Sequence, residues 1–184
     1  MRLFTAVDLP QDLLETLERL VERLRPHARL SWSPTANFHI TTKFLGEWPD
    51  ERLGEVEGAL RMLPAHPPIP IRVHGLGFFP HARSPRVFWA GVEVSEALES
   101  LARETDRSLA RLGVPSESRP FSPHLTLARV RDTRVSLGRL HQEIAHLPSV
   151  EFGSFTADRF YLYQSRLAPG GSVYTRLSEH PFAK

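Results

Sequence analysis

Two His-x-Thr triplets, His39-Ile40-Thr41 and His124-Leu125-Thr126, stand 85 residues apart in a chain of 184. In an extended strand residues i and i+2 point to the same face, so each triplet presents an imidazole beside a hydroxyl. Histidine titrates near neutrality, so if two such half-sites line one cleft, one ring can accept a proton while the other donates one. That pairing suits attack at phosphorus with departure of an alkoxide, because the nucleophile must lose a proton and the leaving oxygen must gain one. The threonine hydroxyls and an arginine would hold the non-bridging oxygens and stabilise the charge of the transition state. This chemistry requires no carboxylate and no metal.

The bare triplet is a weak signal: with nine histidines and ten threonines, chance alone produces roughly half a match. Its surroundings strengthen it. Phe38 to Gly46 and Phe121 to Val130 both alternate small or polar groups with apolar ones and read as short strands. Arg129 lies five positions beyond His124, so strict parity sends it to the opposite face, and only a bulge or a long reach at the strand end brings it back. Lys43 shares the parity of His39 and Thr41 but reads equally well as a solvated lysine. The other seven histidines lack the triplet and read as structural. Neither triplet has the helical His-x-x-x-His spacing or the carboxylate of a zinc site.

The elements that must position these groups follow from periodicity. Arg2 to Asp8 alternates as a strand, and Leu13, Leu14, Leu17, Leu20, Val21 and Leu24 then recur at helical spacing until Pro26. A second helix starts at Pro49-Asp50-Glu51 with Leu53, Val56, Leu60 and Leu63 on one face. Ile69 to Phe79 and Pro85 to Val94 read as a hairpin flanking the turn Pro80 to Ser84. Helices are expected over Ser95 to Leu112 and Val135 to His146, and strands over Glu151 to Ser165 and Ser172 to Leu177, joined by Pro169-Gly170-Gly171. Two hairpins among alternating helices predict an α+β fold with antiparallel or mixed sheets. One compact domain over 1–184 is expected, and triplets nearly half a chain apart, each with a nearby helix and hairpin, are placed as a diverged internal duplication would place them, one motif in each half (39–42 and 124–127).

Composition narrows the chemistry further. At 41% hydrophobic residues the chain can bury a sizeable core. The lack of cysteine excludes disulfides, thiolate nucleophiles and Cys-based zinc sites. Lys43 and Lys184 are the only lysines among 23 basic residues, leaving 21 arginines and a formal charge of +2. Arginine's planar fork suits phosphate, yet these arginines are interleaved with acids as on solvated faces, so charge alone does not nominate RNA. No apolar run is long enough to span a bilayer, and the opening Met1 to Asp8 is too short and too soon acidic for a signal peptide, so a cytoplasmic protein is expected.

Five segments together carry a resemblance: Arg2-Leu3-Phe4, His39-Ile40-Thr41-Thr42-Lys43-Phe44-Leu45-Gly46, Val87-Phe88-Trp89-Ala90-Gly91-Val92, Pro123-His124-Leu125-Thr126-Leu127-Ala128-Arg129, and Leu162-Tyr163-Gln164-Ser165 through Tyr174. The chain resembles the 2H phosphoesterase superfamily over nearly its full length, and specifically the RNA 2′,3′-cyclic phosphodiesterases once described as 2′-5′ RNA ligases. The resemblance implies a bilobal α+β fold with pseudo-twofold symmetry around a central cleft, and cofactor-free, metal-independent opening of a 2′,3′-cyclic phosphate to a 2′-phosphate. Carried over by position, His39 would be the proton donor and His124 the proton acceptor, with Thr41, Thr126 and Arg129 on the phosphate. The expected partners are RNA with cyclic phosphate ends or small cyclic nucleotides, the expected state a monomer. The alternatives are 2′-5′ RNA ligation by the reverse chemistry and a non-catalytic RNA-binding module.

Overall fold

The expected helices and hairpins form in the computed structural model, which describes residues 1–183. In chain order these are β1 (Arg2–Asp8), α1 (Gln11–Leu24), β2 (Ser31–Trp32), β3 (His39–Glu47), α2 (Leu53–Arg61), β4 (Ile69–Phe79), β5 (Val87–Val92), α3 (Glu96–Ala110), β6 (His124–Arg129), α4 (Gly138–Ala145), β7 (Glu151–Ala157), β8 (Arg159–Ala168) and β9 (Gly171–Pro181). They build two antiparallel sheets, one ordered β3-β1-β8-β9 and the other β2-β6-β5-β4-β7. The triplet strand of each sheet pairs with the strand that precedes it by one long helix: β3 with β1, and β6 with β5.

Those helices tie the sheets together. Leu13, Leu17, Leu20, Val21 and Leu24 bury one stripe of α1, and Pro26 sits in the 3-10 turn that follows it. Ser95 caps α3 by accepting the Leu98 N–H at 3.1 Å, and Leu98, Leu101, Ala102 and Leu109 form its buried stripe. Helix α1 follows a strand of the four-stranded sheet but packs on β7 of the other; α3 follows β5 and packs on β3. One buried cluster therefore runs through both sheets, from Leu3 and Ile40 to Phe88 and Leu125. No helix among the described residues is long and apolar enough to cross a membrane.

Two details depart from the sequence reading. The segment Glu151 to Ser165 is two strands, β7 and β8, which belong to different sheets, with the chain crossing at Asp158. Extended backbone keeps its two-residue period through the crossing, and period reports pleat rather than partner. The two-residue β2, which pairs Ser31 with Arg129 and Trp32 with Ala128, is too short to show a period at all.

Both triplet strands carry the same irregularity. On β6 the register slips by one residue, so that Trp89 faces Thr126 but Phe88 faces Ala128, and Leu127 and Ala128 are both buried. On β3 it slips at Thr42, with Ala6 opposite Thr41 but Thr5 opposite Lys43, and Thr42 and Lys43 are both buried. A bulge reverses parity beyond it. Arg129 thereby rejoins the face of His124 and Thr126. Lys43 leaves the face of His39 and Thr41, and Phe44 takes the place equivalent to Arg129.

Candidate active site

The two triplet strands lie near one another, and the charge of His124 is felt at the His39 ring. Each imidazole is tethered in the same way. His39 Nδ1 lies 2.7 Å from the Asn37 carbonyl oxygen and His124 Nδ1 lies 2.8 Å from that of Ser122, in both cases two residues back along the chain. A carbonyl can only accept, so Nδ1 of each ring carries the proton and Nε2 is left to work. At His39 that nitrogen sits 2.9 Å from Thr41 Oγ1.

Both rings are walled by aromatics. Phe4 lies 4.7 Å from the His39 ring, with Tyr174 edge-on at 5.1 Å; Phe79 stands edge-on to His124 at 4.9 Å. Burial lowers the pKa of both histidines, and the Asn37 and Ser122 carbonyls oppose that fall. Of the remaining influences, Asp8 favours a charged His39 while His124 disfavours it, and Arg129 disfavours a charged His124.

Asp8 was not singled out by sequence, although it is the one acid on the β1 face that also carries Arg2, Phe4 and Ala6. It stands opposite His39 in the β1–β3 register. Tyr163 donates its hydroxyl to Asp8 Oδ1 at 2.5 Å, and Arg176 pairs with the same carboxylate while its Nε donates to the Tyr163 oxygen at 3.1 Å. The Arg176 guanidinium also lies 4.4 Å over the Tyr161 ring. A cleft of about 840 Å³ opens here, bordered by Asp8, Asn37, His39, Tyr163, Tyr174 and Arg176. Burial and the Asp8 carboxylate push the Tyr163 phenol well above its usual range, so it remains a donor.

Of the five candidate residues His39 borders this cleft; Thr41 lies on the same face of β3, and His124, Thr126 and Arg129 share one face of β6. Arg129 is exposed and has no ion-pair partner among the described residues, as a group reserved for an anion would be. Lys43 is not available: its ammonium donates to Asp106 at 2.6 Å and to the Pro115 carbonyl at 2.8 Å. Other histidines have structural partners, His66 on Glu104 at 2.5 Å and His180 stacked 4.9 Å from Phe160. No three His, Cys, Asp or Glu side chains among the described residues are grouped as a metal would require.

On the second half-site, Trp89 lies flat across the sheet. A methyl group on Gly77 would meet its Cζ2 at 2.2 Å, and one on Gly91 would meet the His74 carbonyl oxygen at 2.5 Å. Gly77→Ala is therefore expected to drive the indole off its place opposite Thr126, with a stability loss of about 1–3 kcal/mol typical of overpacking. Thermal unfolding and near-UV circular dichroism would measure it. An unchanged aromatic signal would contradict this packing.

The fold and site together define a phosphoesterase. A solved phosphoesterase superimposes over the whole chain with a TM-score of 0.82 and 28% identity, covering 98% of that chain. Escherichia coli LigT, solved with 3′-AMP, matches over 100% of this chain and 98% of its own with a TM-score of 0.80 and 28% identity. The chain belongs to the 2′-5′ RNA ligase superfamily, whose sequence model matches residues 7–168. Relatives named RNA 2′,3′-cyclic phosphodiesterase occur in Methanothermobacter thermautotrophicus, 34% identical over 95% of each chain, and in Thermotoga maritima, 33% identical over 99% of this chain and 96% of the relative.

Proposed function

We propose that the protein hydrolyses 2′,3′-cyclic phosphates at RNA ends or on nucleosides to 2′-phosphates, without a metal, by acid–base catalysis from His39 and His124. The observation that carries this reading is the twice-used Nδ1 tether, which leaves Nε2 free for proton transfer on two imidazoles close enough to interact electrostatically. His124 Nε2 takes a proton from water as its oxygen attacks phosphorus in line with the 3′-oxygen. His39 Nε2–H protonates the departing 3′-oxygen, and the P–O3′ bond breaks to leave the 2′-phosphate. Thr41, Thr126 and Arg129 hold the non-bridging oxygens, where negative charge grows. The two rings exchange protonation states in the step and are reset by solvent.

The names of the relatives support the substrate class. Repetition of the strand–helix–strand unit, β1-α1-β3 and β5-α3-β6, supports reading the chain as one duplicated domain. Both half-sites come from one chain, so a monomer suffices.

Product analysis on 2′,3′-cyclic nucleotides and oligonucleotides in EDTA tests the reading. The expected result is a 2′-phosphate at an undiminished rate. A 3′-phosphate product would refute the assignment of the leaving oxygen, and complete loss in chelator would refute the metal-free step. The family's name favours a second reading, ligation, in which a 5′-hydroxyl replaces water; a nuclease-resistant joined product from cyclic-phosphate and 5′-hydroxyl RNA would establish it.

A further inference from the structure

The twin half-sites superimpose in pattern position by position. Through the equivalent bulges, His39, Thr41 and Phe44 on β3 correspond to His124, Thr126 and Arg129 on β6. Their cross-strand partners are Asp8, Ala6 and Phe4 in one sheet and Gly91, Trp89 and Val87 in the other. Among these paired positions charge differs at two only. An acid faces His39 where glycine faces His124, and an arginine stands beyond Thr126 where Phe44 stands beyond Thr41. Phe44 is itself 49% exposed, with the Arg2 guanidinium 5.1 Å over its ring.

We propose that Asp8 and Arg129 break the symmetry of the two histidines: the Asp8 carboxylate keeps His39 as the proton donor, and the Arg129 guanidinium keeps His124 as the proton acceptor. This rests on the phosphodiesterase reading and adds to it the physical basis for the division of labour, which two like triplets do not contain. Asp8 acts as a positioning residue through the ring opposite it. Arg129 serves twice, on substrate phosphate and on the resting charge of His124.

The full electrostatic setting bears on the outcome. Facing His39 are Asp8 from β1, Tyr163 from β8, Tyr174 and Arg176 from β9, and His124 from β6. Acting on His124 are Arg129 on its own strand and His39 on β3, with uncharged Phe79 from β4 and Gly91 and Trp89 from β5. Arg176 partly offsets Asp8, so its removal acts on His39 in the opposite direction. Tyr163 donates to Asp8 and brings no charge.

The test is a histidine NMR titration of the full chain, with His39 and His124 assigned from their Gln variants, alongside the pH profile of kcat/KM on a 2′,3′-cyclic nucleotide. His39 is expected to titrate above His124. Asp8→Asn, which preserves the oxygen that Tyr163 bonds, is expected to lower His39 by about one pH unit and leave His124 in place. Arg129→Gln is expected to raise His124 by a similar amount, and Arg176→Gln to raise His39. The alkaline limb of the profile should follow His39 and the acid limb His124, with Asp8→Glu restoring the wild-type limbs. A wild-type His39 that titrates below His124, or one that does not move in Asp8→Asn, would overturn the proposal. Absence of turnover in the wild type with the expected titrations intact would refute the functional reading instead, so the two failures are distinguishable.

Discussion

Alanine at His39 and alanine at His124 are each expected to lower turnover of a 2′,3′-cyclic nucleotide by about two orders of magnitude or more, the usual contribution of a positioned acid or base. The double variant should lose little beyond the worse single one, because a proton donor and acceptor that act in one step fail as a unit. Their pH profiles should differ in kind. Without His39 the alkaline limb disappears, since no group remains whose deprotonation stops the reaction; without His124 the acid limb disappears. Burial lowers both rings below the ordinary histidine range, so the wild-type optimum in kcat/KM should fall on the acid side of that range. Steady-state rates across pH, with circular dichroism melts to show that each variant is folded, would check all of this. Retention of the wild-type rate by either variant would refute the paired-histidine mechanism.

How much of this site the sequence disclosed depends on which physical feature each residue relied on. His39, Thr41, His124 and Thr126 were legible because strand parity is local and both triplets precede their bulges. Arg129 was ambiguous for the same reason: parity counts residues, and the extra residue at Leu127 changes the count without any composition signal. The resemblance to a known family, rather than the spacing, nominated it. The Asn37 and Ser122 tethers use backbone carbonyls, which every residue possesses, so no side chain announces them. Asp8, Tyr163 and Arg176 meet across 168 residues of sequence, and their association arises only when β1, β8 and β9 are laid side by side. The helices and hairpins, by contrast, follow from apolar spacing and turn residues within each segment. The division of Glu151–Ala157 from Arg159–Ala168 escaped that logic because it concerns which sheet a strand joins.

Lys43 supplies the second large effect, and its sign separates two readings of one residue. Parity places it with His39 and Thr41, as a phosphate ligand would be; the bulge at Thr42 turns it inward, where it is 6% exposed and bonded to Asp106 on α3. Burial of the Asp106 carboxyl disfavours its charge, but the Lys43 ammonium and the Glu117 backbone N–H outweigh that and hold its pKa below the usual value. Lys43→Met strands this carboxylate, so a loss of about 3 kcal/mol is expected, the lower end for breaking a buried pair because Asp106 retains 20% exposure. In a domain of this size that corresponds to a fall in Tm of roughly 6–12 °C. A depressed carboxyl stabilises the fold above its unfolded pKa and ceases to do so as pH falls through the folded one, so the deficit should shrink below about pH 4. Lys43→Met/Asp106→Leu should recover most of the loss, because it removes the stranded charge together with its partner. Chemical denaturation of the two variants, with kcat/KM measured well below their melting ranges, distinguishes the cases: a structural lysine gives a large stability loss with nearly unchanged turnover, and a phosphate ligand gives the reverse.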